Sequence, residues 1–124
     1  MDRNDFEKWM QGYLACWASN DPEAIGALFA EDAEYYTQAF RESWRGRDMI
    51  VKEWIGRADW QGEPGDEWTF DYHWVAVEGD TGVLEGQTNY SGRNEVIHNI
   101  WFITLDAAGR CRVFKETWVQ KPEA

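Results

Sequence analysis

The stretch Trp68-Thr69-Phe70-Asp71-Tyr72-His73-Trp74 alternates aromatic and polar side chains, which is typical of a strand with one buried face. Upstream of it, from Asn4 to Asn20, apolar residues recur every three or four positions, which predicts a helix with one apolar side. The period of the pattern therefore changes once along the chain. Helices followed by an antiparallel meander predict an α+β domain, with the helices covering one face of a strongly bent sheet.

Capping residues define the first two helices. Asn4 and Glu7 have the spacing of a capping box at the start of the first helix. Because the residue before a proline avoids the helical region, this helix is expected to end before Pro22. Asp21 then caps a short second helix, with Pro22 at its first position.

Turn residues divide the rest of the chain. A third helix is predicted over 47–55 and is ended by Gly56, and Glu31-Asp32 is interpreted as the solvated end of the second helix. No repeat or linker interrupts the pattern, which predicts a single domain over 1–124. Strands are predicted over 33–37, 68–74, 81–90, 96–105 and 111–119, with loops over 38–45 and 58–66.

The composition limits the classes of partner. Aromatic residues make up 16% of the 124 positions, and the net charge of −11 disfavours nucleic acid and anionic membrane surfaces as partners. No apolar run is long enough to span a membrane, and the charged start of the chain does not resemble a secretory signal. We therefore expect a cytoplasmic protein in which Cys16 and Cys111 are reduced thiols.

Four segments of the chain resemble one known family. The order of elements and these segments are similar to the nuclear transport factor 2-like superfamily, particularly its SnoaL-like branch. The resemblance implies a cone-shaped, cystatin-like roll with three N-terminal helices on a bent, mainly antiparallel sheet, and a pocket between the concave sheet and the first helix. The segments are Trp17-Ala18-Ser19-Asn20-Asp21-Pro22-Glu23-Ala24-Ile25, Leu28-Phe29-Ala30-Glu31-Asp32-Ala33, Gly46-Arg47-Asp48 and Asp106-Ala107-Ala108-Gly109-Arg110.

The resemblance does not fix the chemistry, since this fold hosts isomerases, cyclases, epoxide hydrolases, dehydratases and non-catalytic modules. Against the steroid isomerase pattern, Tyr13 falls at the oxyanion-hole tyrosine, Thr37 at the catalytic aspartate and Trp101 near the second oxyanion donor. Because threonine cannot act as the base and tryptophan cannot replace an acid donor in the same way, steroid isomerase chemistry is not predicted.

Strand alternation predicts which side chains face the concave side. Glu116 is then the one inward carboxylate of the last two strands, where burial among aromatic rings would make it a usable acid or base. Tyr13 and Asn99 would polarise or orient a ligand oxygen. The alternatives are that Glu116 pairs with an arginine at the rim, that Tyr13 is a core tyrosine and that Asn99 satisfies backbone groups. The predicted inward face comprises Tyr35, Thr37, Trp68, Phe70, Tyr72, Trp74, Asn99, Trp101, Ile103, Phe114, Glu116 and Trp118.

The aromatic residues are interpreted first as core and second as the wall of a pocket. A chain of this size has more tryptophans than its core ordinarily needs, and each buried indole N–H requires an acceptor. The predicted ligand-binding residues are Trp17, Tyr35, Thr37, Trp54, Trp101 and Trp118.

Outward positions suggest a second surface. Asp71 and His73 share one strand face and could form a carboxylate–imidazole pair, whereas His98 is expected to face outwards. Because the two histidines lie far apart, no metal site is predicted. The sequence also has no nucleotide or flavin signature, so no cofactor is predicted. An apolar convex face predicts a homodimer, as the resemblance also implies; its residues are Ile100, Phe102, Val113 and Val119.

Three functions remain open. The domain could be an acid/base isomerase, cyclase or lyase acting on a hydrophobic carbonyl or ring compound. It could instead be a non-catalytic domain that binds such a molecule, or a structural dimerisation module whose cone is filled by its own side chains.

Overall fold

A computed structural model describes residues 1–37, 40, 42–61, 67–91 and 95–122, and for 57–61 it describes the backbone alone. The loops predicted over 38–45 and 58–66 therefore lie partly outside the described residues. The helices are α1 (Arg3–Ser19), α2 (Pro22–Leu28) and α3 (Arg47–Gln61), and the strands are β1 (Phe29–Tyr36), β2 (Trp44–Arg45), β3 (Trp68–Glu78), β4 (Thr81–Tyr90), β5 (Glu95–Leu105) and β6 (Cys111–Gln120).

The six strands form one sheet in the order β2-β1-β6-β5-β4-β3. Strands β3 to β6 form an antiparallel meander, whereas β1 pairs with β6 in parallel. Three helices with a mixed sheet confirm the α+β class. None of the helices in the described residues is both long and apolar enough to span a membrane.

The start of α1 differs from the prediction. The capping box is formed by Asp2 and Asp5, each side chain accepting a hydrogen bond from the other residue's backbone N–H at 3.1 and 2.9 Å. The predicted box of Asn4 and Glu7 is wrong because the helix begins two residues earlier. Its end follows the prediction, since Asn20 adopts a left-handed conformation with φ 53° and donates to the carbonyl of Cys16.

Three further boundaries differ from the sequence pattern. The chain becomes extended at Phe29, so Glu31 and Asp32 lie exposed in β1 at an irregularity in its pairing with β6, and not at a helix end. Helix α3 continues to Gln61 through Gly56, an exposed position where an added Cβ atom would meet no atom within 4 Å. The two-residue strand β2 was predicted as loop, because it is too short to show a period.

The first helix packs closely on the sheet. Phe6, Trp9, Met10 and Tyr13 of α1 are buried in a core that also includes Phe114 of β6. Helix α1 approaches the sheet closely at Gly82 of β4, which has no side chain. A Cβ atom on Gly82 would lie 2.7 Å from the Phe6 ring, which is too close for an ordinary contact. Helix α1 therefore covers the buried face of the sheet with aromatic rings.

Candidate functional site

The register of the sheet places four of the predicted site residues on one face. Asn99 lies opposite Trp118, and Trp101 lies opposite Glu116, in the antiparallel pairing of β5 with β6. Directly opposed residues point to the same side of a sheet, so these four side chains share the concave face. Asn99 and Trp101 are buried, Glu116 is partly buried and Trp118 is 40% exposed.

A chain of hydrogen bonds links three polar side chains on this face. The Thr88 hydroxyl donates to Asn99 Oδ1 at 2.8 Å, and Asn99 Nδ2 donates to Glu116 Oε1 at 3.2 Å. Thr88 has 1% and Asn99 3% of its surface exposed, so the chain runs through the core to the carboxylate. Asn99 is thus bonded to side chains on both sides, and Thr88 holds the orientation of its amide.

Tyr13 and Tyr35 form a second polar pair. Their hydroxyl oxygens are 3.0 Å apart in a buried position, and either can be the donor. Burial raises the pKa of Tyr13 well above its usual value, and the nearby Tyr35 and Glu116 raise it further. Tyr13 therefore remains a protonated phenol that can donate a hydrogen bond, and it does not act as a base near neutral pH.

The indole N–H groups of the buried tryptophans are not all satisfied. Trp9 donates to the carbonyl of Leu28 at 2.9 Å, and Trp54 donates to Asn20 Oδ1 at 3.0 Å. Trp101 Nε1, in contrast, is buried and has no hydrogen-bond partner in the described structure.

The predicted wall residues are only partly brought together. Trp17 stacks on Trp68 with ring centroids 4.0 Å apart, and it also lies 6.4 Å from Trp101. Tyr13 contacts the rings of both Trp54 and Trp101, at 5.1 and 4.9 Å. The rings that flank Tyr13 thus pack against one another.

The remaining predicted wall residues are Thr37, Trp118 and Tyr35, the last of which is hydrogen-bonded to Tyr13. Tyr35 stacks on Phe114 with centroids 4.4 Å apart, and Thr37 is buried at the end of the same strand region. Trp118 is on the concave face but is exposed, so it would meet a ligand only at the edge of the buried aromatic cluster.

Glu7 has a role that the sequence pattern did not indicate. Its carboxylate accepts hydrogen bonds from the Tyr72 hydroxyl at 2.8 Å, from Trp74 Nε1 at 2.9 Å and from Gln11 Nε2 at 3.1 Å. Desolvation raises the pKa of Glu7, but these three bonds outweigh it and hold the pKa below the usual value. The carboxylate therefore joins α1 to β3 along one side of the concave face.

The sequence pattern did not predict a role for Thr88 either. A threonine in an alternating strand does not indicate which residue of the next strand its hydroxyl will contact, here Asn99. Glu7 was missed for a related reason: its spacing from Asn4 fitted a cap, while the donors on β3 lie more than 60 residues away. The inward positions predicted for Tyr72 and Trp74 were the one available signal that a polar acceptor was needed there.

The convex face holds the two histidines. His98 Nε2 lies 2.9 Å from one carboxylate oxygen of Glu85, and His73 Nε2 lies 3.5 Å from the other. Of the alternatives for Asp71 and His73, the outward position is the observed one for His73, which pairs with Glu85 because Glu85 lies directly opposite it across β3 and β4. Nearby on the same face, Phe102 is 43% exposed.

Other potential centres lie away from the concave face. Within the described residues, no three His, Cys, Asp or Glu side chains are placed to hold a metal ion. Cys16 and Cys111 are free, buried thiols, and burial raises the pKa of each. An open cleft between α2 and α3, lined in part by Arg47 and Arg110, shares no residue with the concave-face cluster.

Comparison with known proteins places this architecture in a family. A family model described as a SnoaL-like domain matches residues 10–114, most of the chain. The chain belongs to the SnoaL-like domain family. This confirms the family resemblance of the sequence. No match to a curated protein was found for this SnoaL-like domain.

Several solved structures share the fold of this SnoaL-like domain. One is SalBIII, an epoxide hydrolase/cyclase-like enzyme described as having a role in pyran ring formation in the polyether salinomycin. It superposes with a TM-score of 0.74 at 16% sequence identity, and the match covers 95% of this chain and 93% of SalBIII. A cystatin-like-fold protein from Methylobium petroleophilum PM1 gives 0.73 at 20% identity over 100% of this chain and 81% of its own. A steroid delta-isomerase from Pseudomonas aeruginosa gives 0.65 at 18% identity over 98% and 82%. At these identities the likeness establishes the cystatin-like fold.

Proposed function

We propose that this SnoaL-like domain binds a hydrophobic ring compound that carries an oxygen, at its concave face, and that Glu116 transfers a proton to or from it. The observation that carries the proposal is the hydrogen-bond chain from Thr88 through Asn99 to Glu116 among aromatic side chains. A carboxylate held by a buried neutral donor has a fixed direction, which general acid–base catalysis requires.

Each polar group has a distinct part in the proposed reaction. Glu116 takes a proton from the carbon next to a ligand carbonyl, and the electron pair moves to the carbonyl oxygen. Tyr13, whose pKa is raised by burial, donates a hydrogen bond that stabilises this oxygen. Asn99 positions Glu116, which then returns the proton to a different carbon (isomerase) or protonates a leaving group (lyase), and no cofactor is needed.

The comparison of folds supports a ligand-binding domain of the cyclase or isomerase kind, and it does not support a particular substrate or reaction. Structures named as a cyclase-like enzyme and as a steroid isomerase share the architecture. Trp17, Tyr35, Thr37, Trp54, Trp101 and Trp118 would form the wall of the binding site, with the exposed Trp118 at its edge.

Hydrogen–deuterium exchange on a simple ketone tests both binding and proton transfer. The probe is 1-tetralone, a ring ketone whose α-protons exchange with solvent D₂O when a base removes them. We expect it to quench the tryptophan fluorescence and the protein to accelerate its exchange. Glu116→Gln should lower the catalysed exchange rate by about 10²–10⁴ while binding persists. Glu31→Gln is the matched control, because Glu31 is an exposed carboxylate on β1. This variant should catalyse the exchange of 1-tetralone at the wild-type rate.

Two results would contradict the proposal. Absence of binding by 1-tetralone and by a panel of ring-bearing ketones and epoxides would favour the structural module. Binding with an exchange rate that Glu116→Gln leaves unchanged would favour a non-catalytic binding domain.

We also propose that two copies associate through the convex face. Phe102 is 43% and Val119 is 60% exposed there, and Ile100 and Val113 are partly buried neighbours. Exposed apolar side chains in a group are typical of an interface. Light scattering should give twice the mass of one chain, and Phe102→Lys should give a monomer with unchanged circular dichroism. A wild-type mass of a single chain would contradict this.

A further inference from the structure

The cleft between α2 and α3 is large enough for a small molecule and lies apart from the concave face. Its volume is about 500 Å³, which is within the range of small-molecule sites in proteins. Its lining combines the apolar residues Pro22, Ala27 and Val51 with Arg47 and Arg110. The fold thus brings two cationic side chains to one partly apolar recess.

Arg47, the first residue of α3, is held in a fixed orientation. Its Nε and Nη2 atoms both donate to the carbonyl oxygen of Phe29, at 3.1 and 2.9 Å. Its stem runs past Gly26, where an added Cβ atom would lie 3.6 Å from Arg47 Cδ. Because Phe29 takes the donors on one edge of the guanidinium, the parallel N–H groups of Nη1 and Nη2 at its end stay available to a second acceptor.

The two arginines of the cleft differ from others in the chain. Two arginines elsewhere pair with carboxylates at 2.9 and 3.9 Å, but among the described residues Arg47 and Arg110 form no ion pair. Acidic residues are not scarce, since the chain has 23 Asp and Glu against 12 Lys and Arg. Asp106, the carboxylate nearest to Arg110 in sequence, accepts from backbone N–H groups of its own turn. Both guanidinium groups are therefore available to an anionic ligand.

The other charges of the cleft define the kind of anion. Glu23 and Asp48 also line it, so two negative side chains accompany the two positive ones. These carboxylates repel a doubly charged phosphate more strongly than a singly charged ligand. The planar fork of an arginine matches the two oxygens of a carboxylate, and the apolar lining suits a hydrocarbon chain.

We infer that the cleft between α2 and α3 binds a small organic monocarboxylate, with Nη1 and Nη2 of Arg47 donating to its two oxygens and Arg110 supplying a second positive charge. The site is separate from the concave face and does not depend on the reaction proposed there.

NMR titration of the full chain locates the binding and measures its strength. The probe is hexanoate, and 1-hexanol is the matched compound without the carboxylate. We expect hexanoate to shift the backbone amide resonances of Gly26, Ala27 and Val51, whereas 1-hexanol should not shift them comparably. Inorganic phosphate should bind more weakly than hexanoate, and added NaCl should weaken hexanoate binding because it screens exposed charges.

Two variants test the arginines. Arg110→Gln should weaken hexanoate binding about two- to fivefold, the effect of losing an exposed ion pair. Arg47→Lys keeps the charge but loses the fork, and should weaken binding about tenfold. Arg3→Gln is the matched control, because Arg3 is exposed on α1 and does not line the cleft. It should bind hexanoate as the wild type does.

Several results would overturn the inference. Hexanoate could leave the resonances of the cleft unshifted, or shift only residues of the concave face such as Asn99. The affinity could be the same in the wild type and in Arg110→Gln, whose substituted side chain is exposed in a turn, so this comparison decides even if Arg47→Lys does not fold. Equal binding of 1-hexanol or of phosphate would exclude specific recognition of a carboxylate.

Discussion

Replacing Glu7 with glutamine removes the charge that joins α1 to β3 while keeping the side-chain shape. In the folded protein the carboxylate accepts from Tyr72, Trp74 and Gln11 at 2.8 to 3.1 Å. A hydrogen bond to a charged acceptor contributes about 1.5–3 kcal/mol, against about 1 kcal/mol for a neutral one. Glu7 accepts three such bonds, but the site is partly exposed, so their contribution to stability is reduced by solvent screening. We therefore expect Glu7→Gln to lower the free energy of unfolding by about 1–2 kcal/mol at pH 7.

The pH dependence of this loss has a definite sign. Hydrogen bonds lower the folded-state pKa of Glu7 below its ordinary value of 4.5, despite the opposing and larger single effect of desolvation. The contribution of the carboxylate is therefore complete above pH 4.5 and is lost as the pH falls through the folded-state pKa. The difference between wild type and variant should shrink in acid.

Urea denaturation of both proteins at several pH values measures this difference. Glu31→Gln is the control, because Glu31 has the same charge but is exposed on β1. An equal stability of wild type and Glu7→Gln at pH 7 would refute the reasoning. So would a loss of the same size at pH 7 and at about pH 3, because it would then come from shape and not from charge.

Three further predictions concern the sheet and the thiols. Gly82→Ala should destabilise the protein by about 1–3 kcal/mol in urea denaturation, because its Cβ atom would lie 2.7 Å from the Phe6 ring; a stability equal to wild type would contradict the close approach of α1. Thr88→Val should cost about 1–3 kcal/mol, since it removes the donor to the buried Asn99 oxygen at 2.8 Å; an unchanged unfolding midpoint would argue against the chain of hydrogen bonds. Cys111 should not react with Ellman's reagent in the native protein at pH 8 but should react in urea, because burial raises the pKa of its thiol; rapid native labelling of a Cys16→Ser variant would show that the thiol is accessible.

The fold was predictable because its signals are local or recur along the chain. The alternation from Trp68 to Trp74 and the helical period before Asn20 each span several residues, and the structure follows both. The pairing of Asp21 with Pro22 gave the start of α2 correctly, since a cap depends only on adjacent residues. Where a signal consisted of one residue, as at Gly56, the prediction of a helix end was wrong.

The candidate site was predictable only as a set of positions. Alternation placed Asn99, Trp101 and Glu116 on one face, and the register agrees. It could not indicate that Thr88 donates to Asn99, or that Trp101 has no acceptor among the described residues, because both depend on distances between strands. Side-chain partners across a sheet are set by register and packing, which no single strand encodes.

The parallel pairing of β1 with β6 has a consequence for how the chain acquires its structure. Phe29 of β1 pairs with Cys111 of β6, so the sheet joins segments that are separated by most of the chain. Contacts of such long range are slow to form, since the entropy of closing the intervening loop is lost before they provide any stabilisation. On the ribosome, β1 therefore has no partner in the meander until β6 emerges. Until then β2 is the one strand of the described sheet that can pair with β1, and the other edge of β1 stays unpaired, which is a feature that favours aggregation of incompletely folded chains.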